Sequence, residues 1–380
     1  MKLLHTADWH IGRRLHGFDL TAEQQNAYAQ IEQIAQEEQV DGMIIAGDLY
    51  DRRLPAETSV AMVDSMLQQL NLTDQIPIYA ISGNHDSATR LATGTPWFKA
   101  THLYLHTDLS QAFQPVELSD TQLFLCPYFE PFDAQQYFSD DSLQHLDQAF
   151  ERVVVEMKQH FDPTKKHVLV AHFFAAGSST TDSETNLTVG GLAAVPTDLL
   201  TDFDYVALGH LHGKEALQSP TIRYSGSPVK FSLSEANQEK GVWIVDTAYD
   251  PVRLTFKPIT PIHDVQQVTS SFAELMNPDD NDTVDHEDYV GITLTDKQPI
   301  PNVMARLRDV FPRIVTLGRT DGFETQVRYH GESSKQIRQK SPMDLLDDFY
   351  EKVAKESLSP QQEKWAKAAL KVAREEGNQA

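Results

Sequence analysis

Five times in the first 212 residues a short apolar run ends on Asp, His or Asn. Lys2–Thr6 leads to Asp8-Trp9-His10, Met43–Ala46 to Gly47-Asp48-Leu49-Tyr50-Asp51, and Ile78–Ser82 to Gly83-Asn84-His85-Asp86. Val168–Ala171 leads to His172, and Tyr205–Leu208 to Gly209-His210-Leu211-His212. Each run has the length and composition of a strand. In layered α/β folds ligands bind where neighbouring strand ends converge. Five such ends can therefore surround one point although they are scattered along the chain. The glycines at 47, 83 and 209 suit turns in which backbone approaches that point closely.

The residue types narrow the chemistry. Carboxylate, imidazole and amide donors without thiolate suit borderline divalent ions such as Mn²⁺, Fe²⁺ or Zn²⁺. They are too many for one ion. Two ions roughly 3.5–4 Å apart and sharing a carboxylate would use them all, and such a pair suits attack on a phosphate ester. A D-x-H or G-D dipeptide alone says little, and a lone histidine after a strand is most often structural. The five in this order carry the signal.

Between the motifs the sequence alternates strand-like and helical patterns, as α/β layering requires. Helices are predicted over Ala22–Gln39 (Ala27, Ile31 and Ile34 on one face) and Ala56–Leu70 (Val60, Val63, Met66, Leu67, Leu70). A third runs from Leu143 to His160. Strands are predicted over Leu103–Leu105, Val116–Leu118, Gln122–Cys126, Ile222–Tyr224 and Val242–Val245. Lys257-Pro258-Ile259-Thr260-Pro261 breaks the pattern, because two prolines discourage continued pairing. Beyond it a smaller unit reads strand (264–269), helix (272–276), strand (289–295), helix (302–311) and strand (313–317). Its acidic insert, Asp279 through Asp288, reads as a solvated loop. Ser341-Pro342 and Ser359-Pro360 each place an N-cap serine before a first-turn proline, starting two C-terminal amphipathic helices. Leu345, Leu346, Phe349, Tyr350 and Val353 stripe the first, and Trp365, Ala369, Leu370 and Val372 the second; such stripes suit core packing or a partner.

One cysteine, Cys126, excludes a disulfide framework and fits a buried thiol in a reducing cytosol. No apolar run reaches the roughly 18 residues of a membrane span, and Asp8 and His10 stand where an export signal would be apolar. A cytoplasmic protein is expected.

The order D-x-H, G-D-x-x-D, G-N-H-D, a lone H and G-H-x-H resembles the calcineurin-like metallophosphoesterase superfamily over residues 1–260. His5-Thr6-Ala7-Asp8-Trp9-His10-Ile11-Gly12, Tyr224-Ser225-Gly226-Ser227-Pro228 and the Ser341-Pro342 helix start resemble the bacterial DNA-repair nucleases of that superfamily. The likeness spans nearly the whole chain and is weakest in the acidic insert and the final 20 residues. It implies an α/β fold: a four-layer α-β-β-α sandwich at 1–260, a smaller α+β capping domain at 261–330 and a helical partner-binding segment at 331–380. It implies two Mn²⁺ ions, one on Asp8, His10, Asp48 and His212, the other on Asp48, Asn84, His172 and His210. His85 would act as a catalytic non-ligand with Asp86 orienting it, and Asp51 would be structural. It further implies DNA as substrate, a long coiled-coil ATPase as partner, and a homodimer within a heterotetramer. The remaining histidines (5, 16, 102, 106, 145, 160, 167, 263, 286 and 330) carry no motif and are expected to pack or face solvent; His16, just after Asp8 and His10, is the one nearest a motif.

A net charge of −23 does not favour a nucleic-acid partner. Residues 1–260 hold 17 basic and 34 acidic side chains, 261–330 hold 6 and 12, and 331–380 hold 9 and 9. Yet Arg13, Arg14, Arg52, Arg53 and Arg90 all follow metal motifs, so they are expected to rim the site as local phosphate contacts. Such a body should bind DNA weakly alone and gain affinity from its partner. No G-x-x-x-x-G-K-[ST] loop is present, so ATP hydrolysis would belong to that partner. The competing readings are a small-molecule phosphoesterase or nucleotidase on the same scaffold, and a scaffold without catalysis. The 120 residues beyond the first domain weigh against the former, the full donor set against the latter.

Overall fold

The structure, a computed structural model, describes residues 1–184, 194–277, 284–320, 343–344, 346–347, 350 and 357–377. It has sixteen strands in this range. They are β1 (Lys2–Thr6), β2 (Arg14–Leu15), β3 (Phe18–Asp19), β4 (Gly42–Ala46), β5 (Ile78–Ile81), β6 (Leu103–His106), β7 (Val116–Glu117) and β8 (Thr121–Leu125). β9 (Lys166–His172), β10 (Tyr205–Gly209), β11 (Ile222–Tyr224), β12 (Gly241–Asp246), β13 (Arg253–Pro258), β14 (Val265–Ser270), β15 (Tyr289–Leu294) and β16 (Ile314–Arg319) follow.

Two sheets form the body. One runs β13-β12-β1-β4-β5-β6, the other β11-β10-β9-β8-β7. β1, β4, β5 and β6 are parallel, as are β8, β9, β10 and β11. Parallel strands covered on both faces must be apolar throughout, which is why their sequences are near-continuous Leu, Ile, Val and Ala. Side chains alternate across each strand, so neighbours enter different cores. Leu3, Ile44 and Ile81 meet Leu123, Val168, Val170 and Ala207 between the sheets. Leu4, Met43 and Ile45 face Ala27 and Ile31 of the helix Thr21–Glu37 and Val63 and Met66 of the helix Glu57–Gln68. Phe124, Leu169 and Val206 face Phe150, Val153 and Met157 of the helix Leu146–Lys158. Each of those last three side chains contributes about 1.5–3 kcal/mol by burial. The layers are helix, sheet, sheet, helix, as the motif order implied.

The chain divides into two compact units. One comprises Met1–Val268, Asp282–Gly291 and Leu307–Val315, the other Thr269–Asn281, Ile292–Arg306 and Thr316–Ala380. A third sheet runs β14-β15-β16, and the same stretch carries the short helices Phe272–Leu275 and Val303–Arg308.

Several expectations shift. Val60 is 44% exposed, because the inward stripe is Ser59, Val63, Met66 and Leu70, and Val60 lies one residue off it. The third helix begins at Leu146; Leu143 is buried in the preceding turn, which extended the apolar pattern. The helix Pro131–Phe138, β13 and the β2–β3 hairpin had no clear periodicity. In that hairpin His16 and Gly17 form the two-residue turn with φ of 47° and 94°. His16 is thus an exposed turn residue and belongs to no site. In the acidic insert, Asp279–Asp282 lie outside the described residues, but Asp288 is buried and accepts from Asp264 N and Gln266 Nε2, so the insert's end is not a solvated loop. Ser359 caps the helix Pro360–Gly377 with Gln362 as its reciprocal partner. Of the preceding predicted helix, positions 343–344, 346–347 and 350 are helical, whereas Ser341, Pro342, Leu345, Phe349 and Val353 lie outside the described residues.

Candidate metal centre

All five strand ends meet. Asp8 N donates to Gly47 O and His10 N to Asp48 O, tying the end of β1 to that of β4. Trp9, between the two donors, points the other way into the helix-covered core, with Nε1 on Thr6 Oγ1 at 3.0 Å. The second sheet closes from the opposite side: His210 N donates to Asp8 Oδ1 at 2.9 Å, and His172 Nδ1 to Ala46 O at 2.8 Å. The approach is so close that a Cβ on Gly209 would lie 2.0 Å from Ala46 O, and one on Gly83 2.2 Å from Asp48 Oδ1. Only glycine fits there. Four of the gathered residues also have left-handed backbone: Asp8 (φ 54°), His10 (43°), Asp48 (54°) and His210 (97°). Such conformations cost about 1–3 kcal/mol each and concentrate at functional sites.

The donor atoms fall into two groups around Asp48. Asp48 Oδ2 lies 3.6 Å from His10 Nε2 and 3.2 Å from His172 Nε2. On one side His10 Nε2 and His212 Nε2 are 3.1 Å apart, and Asp8 joins them in a cluster whose ligand atoms lie within 4.8 Å of one another. On the other, Asn84 Oδ1 lies 2.9 Å from His172 Nε2 and 3.1 Å from His210 Nδ1. Asp8, Asp48 and His172 also cluster within 4.8 Å.

Electrostatics make the arrangement one that calls for cations. Burial pushes Asp8 well above the usual carboxylate range, with His172 opposing it and Asp48 adding to it. Burial holds His10 well below its ordinary value and brings His210, with His172 beside it, down to about 3. Both rings thus offer lone pairs. His172 goes the other way, to about 9, because Asp48 and Asp8 outweigh its burial. Asp8 Oδ2 and His10 Nδ1 are buried without a hydrogen-bond partner. Buried carboxylates, neutral imidazoles and unpaired polar atoms at one point are a donor set that fits divalent ions.

His85 stands at the edge, half-buried, its ring 4.7 Å from that of His10. Its N donates to Asp48 Oδ1 and its Nδ1 lies 2.7 Å from Asp51 O. The Asp51 main chain is therefore what orients the ring. Asp86, expected in that role, uses both carboxylate oxygens on the N–H groups of Leu49, Tyr50 and Gly83. It clamps two loops together. Burial, with Asp48 adding to it, pushes its carboxyl up to about 7.

The arginines separate into two kinds. Arg13 turns inward: Nη2 donates to Ser183 O, Nε is 3.8 Å from Asp51, and the guanidinium lies 5.0 Å from the Phe231 ring centre. It braces loops where phosphate contact was expected. Arg14 pairs with Asp19 and Arg52 with Asp51, both exposed. Arg53 and Arg90 line a cleft of about 180 Å³ with Tyr50, Ser87 and Leu91. Residues not flagged by sequence complete the surroundings. Phe231 packs edge-on against both His10 and His212, and Ser183, Glu184, Glu235 and Lys240 lie behind His212. Ser232-Leu233-Ser234-Glu235 reads in sequence as an ordinary S-x-x-E helix cap, which hides Glu235.

Two helix-covered sheets with buried carboxylates, imidazoles and an amide at one set of strand ends define a metal-dependent phosphoesterase. The calcineurin-like phosphoesterase family matches residues 1–214, and a family described as the type 5 capsule protein repressor C-terminal domain matches 261–354. A Staphylococcus epidermidis protein, named as the D subunit of the nuclease SbcCD, is 32% identical over 362 residues, covering 94% of this chain and 95% of its own. One of the same name from Staphylococcus saprophyticus is 30% identical over 380 residues, covering 100% of both. A solved structure from Thermus thermophilus aligns at 10% identity and TM-score 0.38, covering 68% of this chain and 99% of that one. The chain therefore belongs to the calcineurin-like phosphoesterase family, among the D-type nucleases of SbcCD, and is a metal-dependent phosphodiesterase. Among the described residues no helix is long and apolar enough to cross a membrane.

Proposed function

We propose that the chain is a two-metal DNA nuclease, an exonuclease on double-stranded ends and an endonuclease on single strands and hairpins, acting in cytoplasmic DNA repair and recombination. The observation that carries this is Asp48, whose Oδ2 stands between His10 Nε2 at 3.6 Å and His172 Nε2 at 3.2 Å, one carboxylate shared by two donor groups. Asp8, His10, Asp48 and His212 would hold one ion, and Asp48, Asn84, His172 and His210 the other, with Mn²⁺ the metal of choice on the family resemblance. Bound there, the ions supply an activated nucleophile and neutralise charge on the phosphate.

The chain's own side chains do the rest. His85, held by Asp51 O, hydrogen-bonds the phosphate oxygens or protonates the leaving oxygen. Arg14, Arg52, Arg53 and Arg90 contact DNA phosphates next to the site, while Arg13 braces the loops that carry the donors. Residues 1–260 form the nuclease domain, 261–330 a capping domain and 331–380 the segment that docks an SbcC-type coiled-coil ATPase. A homodimer within a heterotetramer completes the assembly. Full-length similarity to nucleases named as subunits of SbcCD supports the DNA substrate and the partner.

The test compares Mn²⁺-dependent cleavage of hairpin and single-stranded DNA with hydrolysis of a chromogenic phosphate monoester, for the chain alone and with the ATPase. DNA cleavage that Asp48→Asn abolishes is expected. Turnover of the monoester alone would replace this reading by a small-molecule phosphoesterase.

A further inference from the structure

Behind His212 runs a chain of buried polar groups that binds no substrate. Ser183 Oγ is 2.7 Å from His212 Nδ1 and 2.5 Å from Glu235 Oε1. Glu235 is fully buried, and four further donors converge on its carboxylate: Lys240 Nζ at 2.5 Å, Phe231 N and Ser232 Oγ at 3.2 Å each, and Ser227 Oγ at 3.5 Å. Lys240 Nζ also donates to His212 O at 2.8 Å, and His212 N to Glu184 Oε1 at 2.9 Å, so ring and main chain are held from the same side.

We propose that Glu235, acting through the Ser183 hydroxyl, fixes His212 as the Nδ1–H tautomer with Nε2 turned to the metal centre. Ser183 and Glu235 are thus positioning residues. This rests on the reading of His212 as a ligand. The argument is one of proton counting. A carboxylate surrounded by an ammonium, an amide and hydroxyls is ionised and can only accept. Ser183 has a single proton, and the 2.5 Å contact to Glu235 needs it. Ser183 Oγ can then only accept from His212, so Nδ1 carries the hydrogen. The lone pair is left on Nε2, the atom 3.1 Å from His10 Nε2 inside the centre. With the hydrogen on Nε2 instead, Ser183 would turn its proton to Nδ1, and two oxygens would face each other unprotonated at 2.5 Å. Carboxylates commonly fix metal-binding histidines in this way, and their removal costs about 10–100-fold in metal affinity. Here a serine stands between the two.

The experiment uses the full chain labelled with ¹⁵N-histidine and two readouts: ring-nitrogen shifts without metal, and Mn²⁺ affinity by electron paramagnetic resonance. Wild type should show His212 as Nδ1–H. Ser183→Ala should mix the tautomers and weaken Mn²⁺ binding about 10–100-fold, with its melting temperature near that of wild type and Ser183→Thr restoring both. In Glu235→Gln, Lys240 claims the amide oxygen and the NH₂ faces Ser183, so the serine proton turns to His212 and the ring should become Nε2–H. If Ser183→Ala and Glu235→Gln both keep the Nδ1–H tautomer and Mn²⁺ affinity within twofold, the proposal is overturned. If His212→Ala keeps full Mn²⁺ affinity, the ligand reading falls instead, and the metal-free tautomer result tells the two failures apart.

Discussion

A residue's position in a motif does not fix its job here. Asn84, His85 and Asp86 are consecutive, yet one faces His172 and His210, one stands at the edge on Asp51 O, and one clamps the backbone of two loops. This separation predicts distinct outcomes for neighbouring substitutions. His85→Ala should lower DNA cleavage about 10²–10⁴-fold, the range of a lost proton donor, while Mn²⁺ affinity stays within a few-fold. Calorimetric titration of Mn²⁺ beside a nuclease assay checks this, and a parallel loss of metal would make His85 a ligand.

At the scale of elements, the site is made by strand ends from two sheets pressed within van der Waals distance, and that closeness is a constraint of its own. β10 passes Ala46 so tightly that Gly209→Ala must move one sheet against the other. The expected cost is about 1–3 kcal/mol, typical of overpacking, with weaker metal binding although no ligand is changed. Denaturant unfolding and Mn²⁺ titration of the variant provide the check; wild-type stability would show that the sheets part freely. The helices matter less directly. They cover the outer faces, and small errors in their predicted ends (Leu143 for Leu146, Val60 for Ser59) leave the strand ends where they are.

For the whole molecule, two consequences of charge and burial are measurable. His5 and His106 are buried and held neutral by desolvation, with values of about 3 and about 4 against an ordinary 6.5. Below pH 6.5 the unfolded chain takes up protons that the folded chain refuses. Their contribution to stability is therefore present above pH 6.5 and lost as pH falls towards 4, about 2 kcal/mol for each by pH 5. Melting temperature should drop over that interval, and less steeply in His106→Gln; equal slopes would show that other groups govern acid unfolding. The second consequence is in binding: on a body of net charge −23, affinity for DNA should rise with the ATPase present and fall with salt.

The sequence by itself determined which residues could bind metal and that five strand ends would carry them, because strand periodicity and donor chemistry are local properties of short segments. Asp8, His10, Asp48, Asn84, His172, His210 and His212 were legible for that reason. Tertiary structure alone decided that Asp48 stands between two donor groups, that Asp51 rather than Asp86 holds His85, and that Arg13 turns inward. It also placed Ser183, Glu235 and Lys240 behind His212. The contacts responsible join residues as far apart in sequence as 29 for Ser183 with His212 and 170 for Arg13 with Ser183. They form only when two sheets close on each other, and no local pattern encodes such a meeting.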